Sequence, residues 1–321
     1  GIPEAAAAAA ADAENQIGEV KIEELPQLES LPAAWDFGKD ISAKISARQI
    51  VKGGKTILEN LSAEIFTEKS SAKIAGASAL FYGAPAEMAA EIRLENNLYS
   101  LKNSSLKITG LPVENLLEKN GENKAFLEGK FDVRADFFSS GKTPEELLRR
   151  LRFDIGAETK GGSLHFVDKT SEYWEMASAG AGMLKLGGTL FGGKVRDIGD
   201  AAEALRLLAD LDFSETSLSL SRDENLDIIL SPVEIKSQDA ILDICGTLAY
   251  VEGESVKDMP ILMPIKLRPA SARLSQILQK IGYSDAAPWP RFQITGTLAK
   301  PKNNIAEILA AAARSALKSK N

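Results

Sequence analysis

Residues 127–137 alternate without error. Leu127, Phe131, Val133, Ala135 and Phe137 are apolar, with Gly129 in step, whereas Glu128, Lys130, Asp132, Arg134 and Asp136 are all charged. Successive side chains of a strand point to opposite faces of its sheet. At about 3.3 Å per residue this segment therefore makes a strip roughly 35 Å long, oily on one side and salty on the other. The pattern recurs. Ile41, Ala43, Ile45 and Ala47 alternate with Ser42, Lys44, Ser46 and Arg48, and Met88, Ala90, Ile92 and Leu94 alternate with Glu87, Ala89, Glu91 and Arg93. Long one-faced strands dominate the chain, and what covers their apolar face decides what the protein does.

The 321 residues suffice for one large core or two domains, and 44% apolar with 26% charged residues is ordinary for a folded protein. A net charge of −7 and a pI near 5.1 give no general attraction to polyphosphate, which argues against nucleic acid as a partner. Cys245 is the sole cysteine, so no internal disulfide forms, and it reads as a small buried hydrophobe. His165 is the sole histidine. One His and one Cys about eighty residues apart cannot supply the recurrent ligand spacing of a zinc site, and no nucleophile elbow or phosphate loop is present. No metal or other cofactor is expected, and the chain does not read as an enzyme. Asp132 and Asp136 share one strand face, but that face is the charged, solvated one. No run of 18 apolar residues occurs, and the chain opens with Gly1, so it reads as a piece of a longer protein with any membrane anchor upstream.

Residues 1–34 carry an Ala tract and Glu-rich sequence without an apolar stripe, which reads as a linker or a solvent-exposed segment. From Trp35 to Ser100 about five strand-like runs are punctuated by Gly53-Gly54, residues 68–71, Gly83-Ala84-Pro85 and Asn96-Asn97, the punctuation of an antiparallel meander. A strand at 106–109 follows, and Pro112 is placed to open a short helix carrying Leu116 and Leu117. Thr143-Pro144-Glu145-Glu146 is a helix start with a capping box. Phe153, Ile155 and Ala157 form one arm of a hairpin that turns at Gly161-Gly162 and returns through Leu164 and Phe166. Residues 172–190 and 200–211 read as helices. Trp174, Leu186, Leu190 and Phe191 within this region read either as a helix packed on the sheet or as a membrane contact.

Beyond it come strands at 218–222, 226–230, 233–235, 240–251, 261–267 and 292–298. A helix at 270–281 has Leu274, Ile277, Leu278 and Ile281 on one face. Residues 303–321 read as a C-terminal amphipathic helix. An internal echo, ICGTLAY at 244–250 and ITGTLAK at 294–300, suggests two similar turns.

The order of these pieces resembles the AsmA-like family of bacterial envelope proteins, in its C-terminal, periplasmic portion. Five stretches carry the resemblance: the strand pair ending in Ala79-Leu80-Phe81-Tyr82-Gly83, the segment 111–117, the strand 126–138 leading into 141–148, the segment 157–166, and the closing 290–301. Together they span most of residues 35–302. The strand and helix patterns point to a β-rich α+β protein, and the resemblance implies a long curved antiparallel sheet, open as a shell or groove, with several packed helices. The resemblance further implies an inner-membrane anchor, a periplasmic location and a role in outer-membrane biogenesis and phospholipid traffic. It brings no catalytic residues.

On that reading Ile41, Ile45, Leu127, Phe131, Val133, Phe137 and Ile155 line a groove for phospholipid or another acyl-chain lipid. Burying a methylene is worth about 0.8 kcal/mol, so a sixteen-carbon chain laid on a dry apolar face gains on the order of ten kcal/mol without a headgroup site. Helices packed on the same strips would satisfy them equally, which makes these residues ordinary core. The alternative function is a structural or interaction module that docks other envelope proteins.

Overall fold

The fold is described from a computed structural model, over residues 20–21, 40–68, 70–120, 122–167, 169–170, 174, 193–222, 225–252, 254–283, 292–309 and 311. Strands β1 (Val20–Lys21), β2 (Ile41–Lys52), β3 (Lys55–Glu68), β4 (Ser71–Phe81), β5 (Ala84–Glu95), β6 (Leu98–Pro112) and β7 (Leu127–Gly141) precede helix α1 (Pro144–Arg149). Then come β8 (Arg152–His165), α2 (Gly193–Ala209), β9 (Asp210–Phe213), β10 (Thr216–Arg222), β11 (Ile228–Lys236), β12 (Ala240–Leu248), β13 (Ile261–Pro269), α3 (Ala272–Lys280), β14 (Phe292–Gly296) and β15 (Pro301–Asn303). The chain forms two compact units, one of Gly1–Leu111 with Arg134–Leu151 and one of Pro112–Val133 with Arg152–Asn321. The stretch 35–302, read from the sequence as one module, is thus shared between them.

In the first unit β2 to β6 form an antiparallel meander in chain order. β1 adds a short parallel pairing at Ile50 and Val51. The expected turns are there for a steric reason. Gly53 and Gly54, Tyr82 and Gly83, and Asn96 and Asn97 all have positive φ, the conformation of two-residue turns that match strand twist. The third turn falls one residue earlier than expected, and Ala84-Pro85 already belongs to β5. α1 begins as its sequence suggests. Thr143 Oγ1 accepts from the Glu146 amide at 3.2 Å, while Glu146 Oε2 reaches back to the Lys142 amide at 2.8 Å, one residue outside the usual box.

In the second unit β8, β10, β11, β12, β13, β14 and β15 pair antiparallel in that order, with β9 added on β8. Their apolar face is covered. Leu205 and Leu208 of α2, Leu274, Ile277 and Leu278 of α3, and Ile305 and Leu309 of the helical residues 305–309 join strand residues such as Leu242, Leu267 and Phe292 in one buried cluster. The apolar stripe predicted for 270–281 faces this core, as its period requires.

Several sequence expectations are corrected. The chain at Gly161-Gly162 does not turn, because β8 runs straight through, pairing β10 with its first half and β9 with its second. Those glycines serve close approach. A Cβ on Gly162 would collide with the Glu128 carbonyl oxygen and lie 2.7 Å from the Phe213 ring. After Pro112 there is a single 3-10 turn, Val113–Asn115, not a helix, for Leu116 is exposed and no apolar stripe exists to bury. α2 begins at Gly193 and stops at Ala209, since Asp210 and Leu211 are drawn into β9 opposite His165 and Leu164. Residues 228–230 and 233–235 belong to one strand, β11, which starts two residues later than expected and whose register shifts between Leu230 and Val233, where Ser231 and Pro232 form a bulge that tolerates proline. The echoed glycines differ: Gly246 lies inside β12, where a Cβ would stand 2.5 Å from the Leu262 oxygen and 2.6 Å from Met263 Cγ, whereas Gly296 ends β14 at φ +91°. The predicted helix 172–190 lies outside the described residues except for Trp174.

Candidate functional site

The same alternation meets two different fates. On β7, Phe131 is only 2% exposed and belongs to the buried cluster of the second unit, with Leu127 and Val133 half-buried against it. These three are core. Ile155 is half-buried in β8, and Phe137 is half-buried in the part of β7 that belongs to the first unit. Trp174 is half-buried against the second unit's cluster, with Lys169 Nζ 5.6 Å from its ring centroid. Leu186, Leu190 and Phe191 lie outside the described residues.

On β2 the outcome is opposite. Ile41 is 56% exposed and Ile45 46% exposed. Register shows what they belong to. Directly paired residues share a sheet face, so Ile45, Ala63, Ala77, Met88 and Leu106 form one row across β2 to β6. Ile41, Thr67, Ala72, Ile92 and Leu101 form a second, and Ala43, Ile65, Ile74 and Ala90 a third. At about 4.8 Å per strand each five-strand row is roughly 19 Å long. The floor is low at Ala63 and Ala77, between the larger Ile45 and Met88. Most of these side chains are half-buried, and Met88 is 40% exposed. Among the described residues of this unit α1 is the sole named helix, and it packs on the end of β7, where Ser139 Oγ donates to the Leu147 carbonyl at 2.6 Å. Sequence alone found Ile41 and Ile45 but missed Ile65, Ile74, Ala77 and Leu101, whose strands alternate less cleanly.

The opposite face is mostly polar, Phe66 excepted, and several of its charges pair with one another. Phe66, Lys73, Glu91 and Lys102 form one of its rows. Glu91 accepts from Arg93 Nε at 2.6 Å and Asn103 Nδ2 at 2.9 Å, and these bonds hold its carboxyl below the ordinary range. Asn103, at φ +48°, sits in the β6 bulge that this carboxylate braces.

A second arrangement, in the other unit, was not legible in the sequence. His165 is buried at the end of β8, with Nδ1 2.6 Å from Asp210 Oδ1 and Nε2 3.4 Å from Glu128 Oε2. Lys169 pairs with Asp210 Oδ2, and Lys124 Nζ lies 3.6 Å from Oδ1. Burial acts to raise the Asp210 carboxyl, but the hydrogen bonds from Lys169 and His165 and the charges of Lys169 and Lys124 outweigh it, leaving Asp210 below the ordinary range. The same bond raises Lys169. His165 and Asp210 stand opposite each other in the β8–β9 register, a pairing across 45 residues that only strand alignment creates.

No group of three or more potential ligands able to hold a metal ion occurs among the described residues. Nor does any described helix have the length and apolarity to cross a membrane. Asp132 and Asp136 are exposed. No family model, curated protein or solved structure matches the chain.

Proposed function

We propose that this protein is a non-enzymatic module of the bacterial envelope that shelters phospholipid acyl chains on an apolar, curved β-sheet, in the manner of the AsmA-like proteins it resembles. The observation that carries the reading is the apolar face of β2 to β6, on which Ile41, Ile45 and Met88 are exposed, whereas the strands of the second unit bury their apolar residues in one cluster with helices. An antiparallel sheet ordinarily buries one face, and contiguous exposed apolar surface marks a binding site. The sheet needs no headgroup pocket, since methylene burial alone provides the affinity. On this reading the chain works in the periplasm, tethered upstream to the inner membrane, and serves outer-membrane biogenesis.

A protein-interaction role is the second reading. It draws on the outer edge of β2, where, among the described residues, only Ile50 and Val51 are paired, with β1. Native mass spectrometry with organic extraction separates the two. Co-purifying phospholipid at one or a few molecules per chain, lost in the double variant I45E/M88E, supports lipid sheltering. A clean apo mass, with no uptake of fluorescent phospholipid by the wild-type protein, refutes it and favours the interaction module.

A further inference from the structure

The imidazole of His165 has a feature that packing alone does not explain. Its side chain is only 6% exposed, and Nε2 is buried with no hydrogen-bond partner, yet a carboxylate oxygen of Glu128 lies 3.4 Å away. A neutral imidazole has one N–H. If that proton sits on Nδ1 and is donated to Asp210, the bare Nε2 lone pair faces the Glu128 carboxylate, two acceptors confronting each other in a buried place. A second proton removes the conflict, because an imidazolium donates from both nitrogens.

The charged groups near it come from several segments. Glu128 comes from β7, Asp210 from β9, Glu122 and Lys124 from the segment before β7, and Lys169 from the segment after β8. The next carboxylate along β9, Asp212, is already engaged by Ser163 Oγ at 2.5 Å.

We propose that His165 is a proton-operated clasp: with its second proton it bridges Asp210 on β9 and Glu128 on β7, and without it only the Asp210 contact remains. The clasp holds a consequential joint. Asp210 directly follows α2, whose Ala204, Leu205, Leu208 and Ala209 fill the core of the second unit, so fastening β9 fastens the end of the helix that covers that core. Acidification tightens the joint and alkalinisation loosens it. This device is independent of the lipid reading.

The test is clean because the chain has a single histidine. Imidazole 15N resonances are followed between about pH 8 and about pH 5, the range in which histidine exchanges its proton, in the wild-type protein and in E128Q. The expected result is proton uptake at Nε2 with Nδ1–H retained, and a lower midpoint in E128Q than in the wild type. Thermal melting of the wild type rises as pH falls through the same window, and E128Q rises less. In H165Q this rise disappears, and if H165Q does not fold, the titrations of the other two proteins decide alone. Identical midpoints in wild type and E128Q, or a proton on only one ring nitrogen throughout the range, overturn the clasp.

Discussion

The Phe213 ring occupies the space where a side chain on Gly162 would stand. The two residues are directly paired between β8 and β9, and a Cβ built on Gly162 lies 2.7 Å from Phe213 Cζ and collides with the backbone oxygen of Glu128 on the other side. A ring lying against a glycine of the paired strand leaves no room for a side chain there. Replacing Gly162 by alanine therefore forces backbone, not merely a flexible side chain, to move. Overpacking of this kind costs typically about 1–3 kcal/mol. Urea denaturation of G162A is expected to show a loss in that range with an unchanged slope.

Phe131 and Ile45 sit at equivalent points of similar alternating patterns and should respond oppositely. Phe131→Ala opens a cavity in a filled core, at a cost of about 3–5 kcal/mol. Ile45→Ser acts on a side chain nearly half exposed, where substitutions usually stay within about 0.5 kcal/mol. If the face of β2 to β6 holds lipid, the second variant nonetheless retains less phospholipid after purification. Denaturation curves and lipid extraction on the same two proteins read both effects.

The N-cap of α3 offers a local check on the helix that covers the second unit's core. Ser271 Oγ accepts from the Leu274 amide at 3.2 Å, and Leu274, Ile277 and Leu278 are buried beneath. Ser271→Ala leaves that amide without its partner and is expected to cost about 1 kcal/mol, measured as a shift of the denaturation midpoint.

What the sequence made legible was local. Alternation places Ile41 to Ala47 and Leu127 to Phe137 on strands because the side-chain period is a property of the strand itself, and Gly53-Gly54 and Asn96-Asn97 announce turns because few other residues adopt positive φ twice in succession. Gly161-Gly162 misled for the converse reason: glycine serves a turn and a close approach equally well, and the ring of Phe213 that decides between them is some fifty residues away. Pro232 divided β11 on paper, while the bulge it occupies lets the strand continue. The difference between Phe131, covered, and Ile45, open, is written in neither strand. It depends on which distant side chains pack on each face. The His165–Asp210 pair was hidden for the same reason, since register alone brings its members together.

Asp210 gives the fold a defined acid limit. Its carboxyl lies below the ordinary carboxylate range in the folded protein, because hydrogen bonds from Lys169 and His165 outweigh the opposing effect of burial. A group whose folded pKa is depressed contributes stability above its unfolded pKa and loses that contribution as pH falls through the folded value. The contribution is therefore present in full at neutral pH, begins to fade once the pH drops below the ordinary aspartate range near about 4, and is gone below the depressed folded value. Asp210→Asn removes the titrating group while keeping its size. At neutral pH the variant is expected to be less stable than wild type, having lost the ion pair with Lys169, and the difference between the two is expected to shrink once the pH falls below about 4. Denaturant midpoints measured for both proteins from neutral to strongly acid pH test this. A difference that stays constant across that range would mean that Asp210 contributes shape but no linked proton.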